Sequence, residues 1–429
     1  MAEIAPFRGI LYDPARAGSV DQLLAPPYDV ISEAERVALA AKSPYNFVRL
    51  ILPQGDGDEK YARAASELQR WLDEGILRRD QRRALYRYHQ RFESGGRVFN
   101  RKGFIARIRL HRFEERVVLP HERTLSGPKL DRLKLKRACR THLSQVFALY
   151  SDPARNVDAE FAEVESEPPH IEATAGDGVV HRIWRLVDPV AQERVAAAMA
   201  DKKVYIADGH HRYETMLALR DELRPQVRSP RSSVEYGSIF LAGMEDPGLL
   251  VLPTHRVVHG LGGFGLPRFL DRLRARFEIE ELRPAGADAL RARLAEKGRT
   301  AASFVLASGA RLFLLALRPG QEAAVPGAEP LRKLDVPVLH ALILEEILGI
   351  DRGAQERQTN LRYLKDVERA LEEAQAPQVQ AVFLLNPTRV AQLQAVADAG
   401  EVMPQKSTFF FPKLASGLVL NPIAPAEEV

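Results

Sequence analysis

The segment 204–219 constrains the fold of this chain more than any other stretch. Its first residues, Val-Tyr-Ile at 204–206, predict a short buried strand, and the apolar spacing from Tyr213 onward predicts an amphipathic helix. Between the two lies a polar pentapeptide, the histidine turn, which consists of Asp208, Gly209, His210, His211 and Arg212. The sequence therefore predicts a strand–turn–helix unit that carries its charged groups in the turn.

The histidine turn has the features of an anion-binding site. A helix that begins here points its first N–H groups and the positive end of its dipole at the turn. Gly209 allows a ligand to approach the backbone, and the fork of Arg212 matches phosphate oxygens. The alternative is an ordinary strand–turn–helix corner with an aspartate cap. Two adjacent histidines followed by an arginine favour the anion site, because burying them together without an anion is costly.

Composition limits the class of protein. The 429 residues are enough for two or three domains, and 45% hydrophobic with 28% charged residues is ordinary for a soluble globular protein. The net charge of +4 gives no global field that would favour nucleic acid. One cysteine, Cys139, excludes an intramolecular disulfide and a zinc cage. With no signal peptide and no long apolar run, we expect a cytoplasmic protein that does not span a membrane.

The pattern along the chain predicts an α+β protein with mixed sheets. Residues 85–92 and 103–110 alternate and are joined through Ser94-Gly95-Gly96, which predicts a hairpin, and residues 49–53 read as a strand. Four arginines of the hairpin are expected to point outward as a solvated basic stripe: Arg87, Arg91, Arg107 and Arg109. The predicted parts are an N-terminal α/β and β-meander region at 1–118, a phosphate-binding core at 119–260, and a smaller C-terminal α+β domain at 265–429.

Two other segments before the histidine turn are candidate parts of a site. Ala25-Pro26-Pro27 holds the backbone extended, which either presents Tyr28 and Asp29 to a cleft or makes a stiff connector. Glu122, after His121, lies at the end of a predicted strand, where a glutamate is usually an ion-pair partner or a cap. The basic run at 129–140 is what a polyphosphate site needs, and also what an exposed helix looks like.

Near the C-terminus, Lys406, Ser407 and Thr408 offer one cation and two hydroxyls in a row. This set of groups suits phosphate, and the alternative is a terminal strand with polar edges. His255, which precedes Arg256 after a predicted strand, is a weaker candidate for the same cleft.

Four motifs carry a resemblance to known proteins. The histidine turn resembles the phosphate-binding Gly-x-x-Arg turn of the ParB/sulfiredoxin superfamily, and its whole Asp-Gly-His-His-Arg string is similar to that of the free serine kinases. The full length resembles a bacterial family described as conserved and of unknown function. The motifs that carry this second resemblance are Ala25–Ile31, Pro120–Thr124, the histidine turn and Met403–Thr408.

The resemblance implies a ParB/sulfiredoxin-like core and a kinase that phosphorylates the hydroxyl of a small metabolite, most simply free L-serine to O-phosphoserine. Glu122 would take the proton from that hydroxyl, and Asp208 would bind or orient Mg²⁺. The phosphoryl donor would be ADP, ATP or pyrophosphate. Its phosphates would be held by Gly209, His210, His211, Arg212, Lys406, Ser407 and Thr408, with His210 also stabilising charge in the transfer. Tyr28, Asp29, His121 and His255 would contact the substrate.

The superfamily also offers two other activities. ParB proteins bind and hydrolyse CTP, so a nucleotide-binding regulator without kinase activity is the alternative, and it predicts that Glu122→Gln is harmless. A sulfiredoxin-like repair enzyme would need a cysteine where this chain has His210. Without a recognisable helix-turn-helix and with a balanced charge, the partners we expect are a small substrate and a phosphoryl donor, with no membrane or nucleic acid. The oligomeric state stays open.

Overall fold

A computed structural model describes residues 2–123 and 127–429. The chain divides into two compact units, each with its own sheet and hydrophobic core. The first unit consists of Met1–Pro120, Thr124–Leu250 and Pro412–Val429, and the second consists of His121–Arg123 and Val251–Phe411. The division into 1–118, 119–260 and 265–429 stays a prediction.

Among the described residues, the first unit is built on a nine-stranded mixed sheet. The strands follow one another across the sheet as Val118–Leu119, Val204–Asp208, Val146–Tyr150, Tyr236–Gly243, Arg97–Arg109, Leu85–Ser94, Val180–Leu186 and Ile171–Thr174, and Ile4–Ala5 pairs with Arg97–Arg109. Most neighbours are antiparallel. The strand Val204–Asp208 pairs in parallel with Val118–Leu119, and Tyr236–Gly243 pairs in parallel with Val146–Tyr150. Two smaller pairs join Ile10–Tyr12 to Leu77–Arg79 and Thr141–His142 to Asn421–Pro422.

Helices pack against this sheet and against one another. The helices of the first unit are Pro14–Ala17, Glu33–Lys42, Val48–Ile51, Glu59–Asp73, Gly127–Cys139, Asn156–Ala159, Ala162–Glu165, Pro189–Met199 and His210–Leu223. Apolar residues of the last two helices, such as Val195 and Met216, are buried with sheet residues such as Ile206. A second core around Trp71 includes Leu135 of the helix Gly127–Cys139.

The predicted hairpin is confirmed. Its strands are Leu85–Ser94 and Arg97–Arg109, and Ser94 pairs with Arg97. Gly95 and Gly96 both have positive φ, at 57° and 71°, which is the turn geometry that matches the twist of the two strands. Residues 49–53, in contrast, are not a strand. The helix Val48–Ile51 forms there, and the side chain of Asn46 accepts a hydrogen bond from the Val48 N–H at 3.0 Å near its start.

The prediction of outward-facing arginines is wrong for two of the four. Arg87 and Arg107 are 1% and 0% exposed. Arg87 forms ion pairs with Glu165 at 2.6 Å and Asp158 at 2.8 Å, and Arg107 forms one with Glu427 at 3.2 Å. These strands are covered on both faces, so alternation in the sequence does not separate core from solvent here.

Among the described residues, the second unit carries a six-stranded antiparallel sheet. Its strands follow one another as Phe277–Leu282, Arg311–Leu317, Ser303–Ser308, Val379–Leu385, His255–His259 and Leu361–Leu364. The short strands Leu250–Leu252 and Phe409–Phe411 form a separate two-stranded sheet. Its helices are Leu266–Leu273, Ala287–Lys297, Glu329–Arg332, Asp335–Val338, Leu339–Ile347, Arg352–Arg357, Val367–Glu373 and Val390–Asp398. The helix Leu339–Ile347 is π-helical.

The two units together confirm the predicted α+β class, with a large mixed sheet and a smaller second sheet. In the part of the chain that the structure describes, no helix is both long and apolar enough to cross a membrane.

Candidate functional site

The histidine turn is held by a bulge and a left-handed glycine. The register of the strand Val204–Asp208 shifts between Ile206 and Asp208, which re-aims the end of the strand. Gly209 follows with φ 89°, and the helix His210–Leu223 begins directly after it. A Cβ at position 209 would lie 2.6 Å from Nε of Arg212, so a side chain there would displace the guanidinium. The glycine is therefore required both by the backbone and by the arginine that folds over it.

Asp208 is an ionised carboxylate between two cations. Lys413 donates to its Oδ1 at 2.5 Å, and Arg212 donates to its Oδ2. Burial raises the pKa of Asp208, but the positive charges of Lys413, Arg212 and His210 outweigh it and hold the pKa well below its usual range. Arg212 also donates to the carbonyl of Gln145, which fixes the guanidinium against the neighbouring strand.

A third cation, Lys136, reaches the same helix start. Lys136 lies on the helix Gly127–Cys139 and is 8% exposed. Its ammonium group donates to the carbonyl of Arg212 at 3.0 Å and to Oγ1 of Thr215 at 2.7 Å. Burial, together with the charges of Arg212 and Arg132, lowers the pKa of Lys136 well below its usual value. An anion beside it would favour the charged form.

Tyr28 and Arg132 complete the surroundings of the turn. A small cavity of about 390 Å³ is lined by Tyr28, Arg132, Lys136 and Arg212, among others. The guanidinium of Arg132 lies over the Tyr28 ring, 4.2 Å from its centroid. Burial raises the pKa of Tyr28, and the charge of Asp29 adds to this shift. The predicted Tyr28 thus lies in the same unit and the same surroundings as Arg212.

The group formed by Lys136, Asp208, Arg212 and Lys413, called the cation group below, has three positive side chains and one negative one. A buried excess of positive charge at a helix start is stabilised by an incoming anion, since the helix dipole acts in the same direction. The arrangement suits the oxygens of a phosphate chain better than it suits a metal ion.

A Mg²⁺ ion held by Asp208 does not fit this geometry. Both carboxylate oxygens of Asp208 already accept from Lys413 and Arg212. Across residues 2–123 and 127–429, no cluster of three or more His, Cys, Asp or Glu side chains could hold a metal ion.

In the second unit, Glu122 lies beside the predicted C-terminal segment. Glu122 and Met403 form a parallel bridge, in which the Met403 N–H donates to the carbonyl of His121 at 2.8 Å. The backbone N–H of Lys406 donates to Oε1 of Glu122, and Lys406 has φ 59°, a conformation rare outside glycine. The structure thus brings Glu122 and Lys406 together, although they are far apart in the sequence.

The neighbouring hydroxyl and imidazole groups are occupied within the second unit. His121 Nε2 is 2.9 Å from Oγ1 of Thr408, and Ser407 donates to the carbonyl of Pro404 at 2.6 Å. The Lys406 side chain is exposed. Of the three residues of this segment that are predicted to contact phosphate, Lys406 is therefore the one whose side chain is exposed.

A buried arginine supports the Lys406 backbone. Arg256 is 0% exposed and donates to the carbonyl of Lys406 at 3.0 Å. The guanidinium lies 3.3 Å from Nε2 of His340, whose Nδ1 lies 2.6 Å from Oε1 of Gln355. Burial lowers the pKa of His340 to about 3. A neutral His340 thus positions Arg256, and Arg256 supports the turn that contacts Glu122.

His255 is a core residue. It is 1% exposed, its Nδ1 accepts the N–H of Leu385 at 3.2 Å, and burial lowers its pKa to about 4. The next residue along the strand, Arg256, makes the polar contact with the Lys406 segment instead. The role predicted for His255 finds no support in these contacts.

The predicted site residues are divided between the two units. The first unit contains Tyr28, Asp29, Asp208, Gly209, His210, His211 and Arg212, and the second contains His121, Glu122, His255, Lys406, Ser407 and Thr408. Their roles stay predictions. The sequence does not single out Lys413 or Lys136 as site residues, although Lys136 lies in the basic run at 129–140. No local signal separates Lys136 from the other cations of the basic run.

Solved structures with some likeness to this chain are remote in sequence. A free serine kinase mutant in complex with AMP is 13% identical, over 72% of this chain and 89% of that one, with a TM-score of 0.38. Another free serine kinase mutant, in complex with ADP, is 14% identical over 72% and 89%, with a TM-score of 0.37. A conserved hypothetical protein from Pyrococcus furiosus is 14% identical over 71% and 92%, with a TM-score of 0.35.

No curated protein matches this chain. A family model does match it, from residue 4 to residue 337, and its description is a protein of unknown function, DUF1015. The matched range includes Glu122 and the whole histidine turn. The chain therefore belongs to the DUF1015 family.

Proposed function

We propose that this protein is a phosphotransferase that binds the phosphates of ADP, ATP or pyrophosphate at the histidine turn and passes a phosphoryl group to the hydroxyl of a small metabolite. Free L-serine is the proposed acceptor, with O-phosphoserine as the product. The observation that carries the proposal is the cation group, in which Arg212 and Lys413 bind one ionised carboxylate and Lys136 binds the Arg212 carbonyl at the start of a 14-residue helix.

The cation group matches the electrostatic needs of phosphoryl transfer. Charge is spread over the oxygens of the transferred group in the transition state, so catalysis depends on fixed positive groups and on positioning. Arg212 is held by Asp208 and by the Gln145 carbonyl, so its fork is fixed before a ligand arrives. Lys136 is held by two hydrogen bonds. Groups fixed in this way lose little freedom when a phosphate binds.

We assign the general base to Glu122. A glutamate that accepts a proton must be held in place within reach of the hydroxyl. Oε1 of Glu122 accepts from the Lys406 N–H, and its side chain is 17% exposed. In the proposed step, the acceptor oxygen forms a bond to phosphorus as Glu122 takes its proton. The bond from phosphorus to the donor's bridging oxygen breaks, and the electron pair leaves with AMP, ADP or phosphate.

The test is incubation of the full chain with serine and each donor in turn, with and without Mg²⁺, followed by detection of O-phosphoserine. We expect product with at least one donor, and at least a hundredfold loss of rate in Glu122→Gln. Glu296→Gln, which alters an exposed glutamate of the second unit, is the matched control and should keep full activity. No product with any donor would refute the assignment.

The same experiment distinguishes a kinase from a nucleotide-binding regulator. Nucleotide binding without O-phosphoserine, and unchanged in Glu122→Gln, is the result expected of a ParB-like regulator that has no kinase activity.

A further inference from the structure

A large cleft opens in the first unit. Its volume is about 1050 Å³, measured to its open mouth, and its walls are mostly apolar. One wall is the extended segment Leu24–Pro27 with Val30 and Ile31, a second is the exposed side of the helix Glu33–Lys42, and a third is the loop at 175–177. A cleft of this size with apolar walls and few polar groups is typical of a small-molecule site.

His181 is one of the residues that line this cleft, and one of its ring nitrogens has no partner among residues 2–123 and 127–429. The residue is 2% exposed, and its Nδ1 lies 2.7 Å from the hydroxyl of Tyr88. Its other ring nitrogen, Nε2, is buried and has no hydrogen-bond partner among the described residues. A buried polar atom without a partner is unfavourable by about 1–3 kcal/mol, so such an atom in a cleft wall points to a ligand.

The hydrogen-bond network sets His181 Nε2 as a donor. The Tyr88 hydroxyl and Nδ1 of His181 share one hydrogen bond at 2.7 Å, and the phenol hydrogen, which is more acidic than an imidazole N–H, is assigned as the donor. The imidazole is neutral, because burial lowers the pKa of His181 to about 3. Its hydrogen therefore lies on Nε2, and the ligand must offer an acceptor such as a ring nitrogen or a carbonyl oxygen.

Lys413 connects the cleft to the histidine turn. It is one of the residues that line the cleft, and its ammonium group contacts Asp208. A molecule in the cleft that carries a phosphate chain can therefore extend that chain along Lys413 toward Arg212. All the residues concerned belong to the first unit.

We propose that the cleft binds the heteroaromatic base of a nucleotide whose phosphates occupy the cation group, with Nε2 of His181 donating to the base. This inference rests on the proposed function, since it names the donor as a nucleotide rather than pyrophosphate. Flat apolar walls built from Pro26, Pro27 and Leu39 suit the faces of a planar ring. The carboxylate of Glu35, at the rim, is held by the N–H and the hydroxyl of Ser32 and does not compete for the base.

The test compares ADP with pyrophosphate by isothermal titration of the full chain, because the two ligands share a diphosphate and differ in the nucleoside. Ala38→Trp places a large ring in the cleft from an exposed helix position, and His181→Phe removes the donor. We expect each change to weaken ADP binding at least tenfold and to leave pyrophosphate binding within twofold. Val37→Trp, on the same helix at a residue that is 54% exposed and outside the cleft, is the control and should change neither.

The outcomes are distinct. ADP binding that is unchanged in Ala38→Trp, or ADP that binds the native chain no more tightly than pyrophosphate, overturns the base site and leaves the phosphate site standing. If neither ligand binds the native chain, the proposed function fails and the base site fails with it. Ala38→Trp keeps the test decisive if His181→Phe does not fold, because position 38 is at the surface.

Discussion

Lys136→Met should make the ligand-free protein more stable while weakening its hold on phosphate. The Lys136 ammonium is buried beside Arg212 and Arg132, and its hydrogen bonds go to neutral oxygens. Methionine has a similar length and carries no charge, so it removes the penalty of burying a charge. The Arg212 carbonyl keeps the hydrogen bond from Thr215 at 2.8 Å, so the change leaves no orphaned acceptor there.

The size of the effect follows from two opposing terms. Two hydrogen bonds with a net value of about 1 kcal/mol each are lost. The penalty for keeping an ion in the interior is several kcal/mol, and it disappears. We therefore expect the free energy of unfolding to rise by about 1–3 kcal/mol at pH 7, which for a chain of 429 residues raises the melting temperature by roughly 1 °C per kcal/mol.

The stability that Lys136→Met gains over the native chain should also decrease as the pH rises. The pKa of Lys136 is lowered in the folded protein, so the unfolded chain binds more protons above that pKa and native stability rises with pH. The advantage of Lys136→Met should therefore shrink as the pH approaches about 10, where the lysine of the unfolded chain also loses its proton.

Denaturant unfolding of both proteins between pH 7 and pH 10, with ADP titration at pH 7, measures all three effects. We expect ADP affinity to fall at least tenfold in the variant. A variant that is less stable than the native chain at pH 7, or an advantage that does not change with pH, would show that Lys136 is an ordinary structural residue and would refute the reasoning.

Three further predictions concern stability. Gly209→Ala should lower the free energy of unfolding by about 2 kcal/mol and weaken ADP binding, because the new Cβ meets Arg212. Gly57→Ala, which is also at positive φ but in open space, should lower it by about 1 kcal/mol. Thermal unfolding and ADP titration compare the two variants. Arg87→Met should lower the free energy of unfolding by about 1.5–3 kcal/mol, because it removes a buried guanidinium from two half-buried carboxylates that keep Arg155 and Lys102 as partners. A loss as small as that of the exposed Arg91→Met would contradict this. Burial raises the pKa of Asp335 from 3.8 to about 6, so the folded chain binds more protons than the unfolded chain between these values. About 3 kcal/mol of stability should therefore be lost as the pH rises from about 4 to 6. A native stability that does not change over this range, as in Asp335→Asn, would contradict the shift.

Local patterns explain the elements that the sequence predicts well. The strand and helix on either side of the histidine turn follow from a change in apolar spacing, and the hairpin at 94–97 follows from two glycines. The strand predicted at residues 49–53 is wrong because the local pattern there is ambiguous. A run of three apolar residues, here Leu50–Leu52, is compatible with either strand or helix, and the contacts made by Asn46 and by the surrounding core decide for the helix.

The missed parts of the candidate site depend on distant contacts. Lys413 meets Asp208 from 205 residues away, because the segment Pro412–Val429 belongs to the first unit rather than to the sheet that precedes it. Lys136 looks like any cation of a basic helix until that helix packs against His210–Leu223. The burial of Arg87 cannot be predicted from the local sequence for a similar reason, since its partners Asp158 and Glu165 lie on helices that cover the sheet. Which cation of a run is buried is a property of packing, which the sequence pattern does not contain.

The claim on which the rest depends is that the cation group binds a phosphate chain. The most direct measurement is titration of pyrophosphate into the native chain, into Lys413→Gln, and into Lys333→Gln, which removes an exposed lysine of the second unit. We predict binding that weakens with added salt, at least a tenfold loss in Lys413→Gln, and no change in Lys333→Gln. Pyrophosphate that binds equally to all three proteins, or to none of them, would contradict the claim.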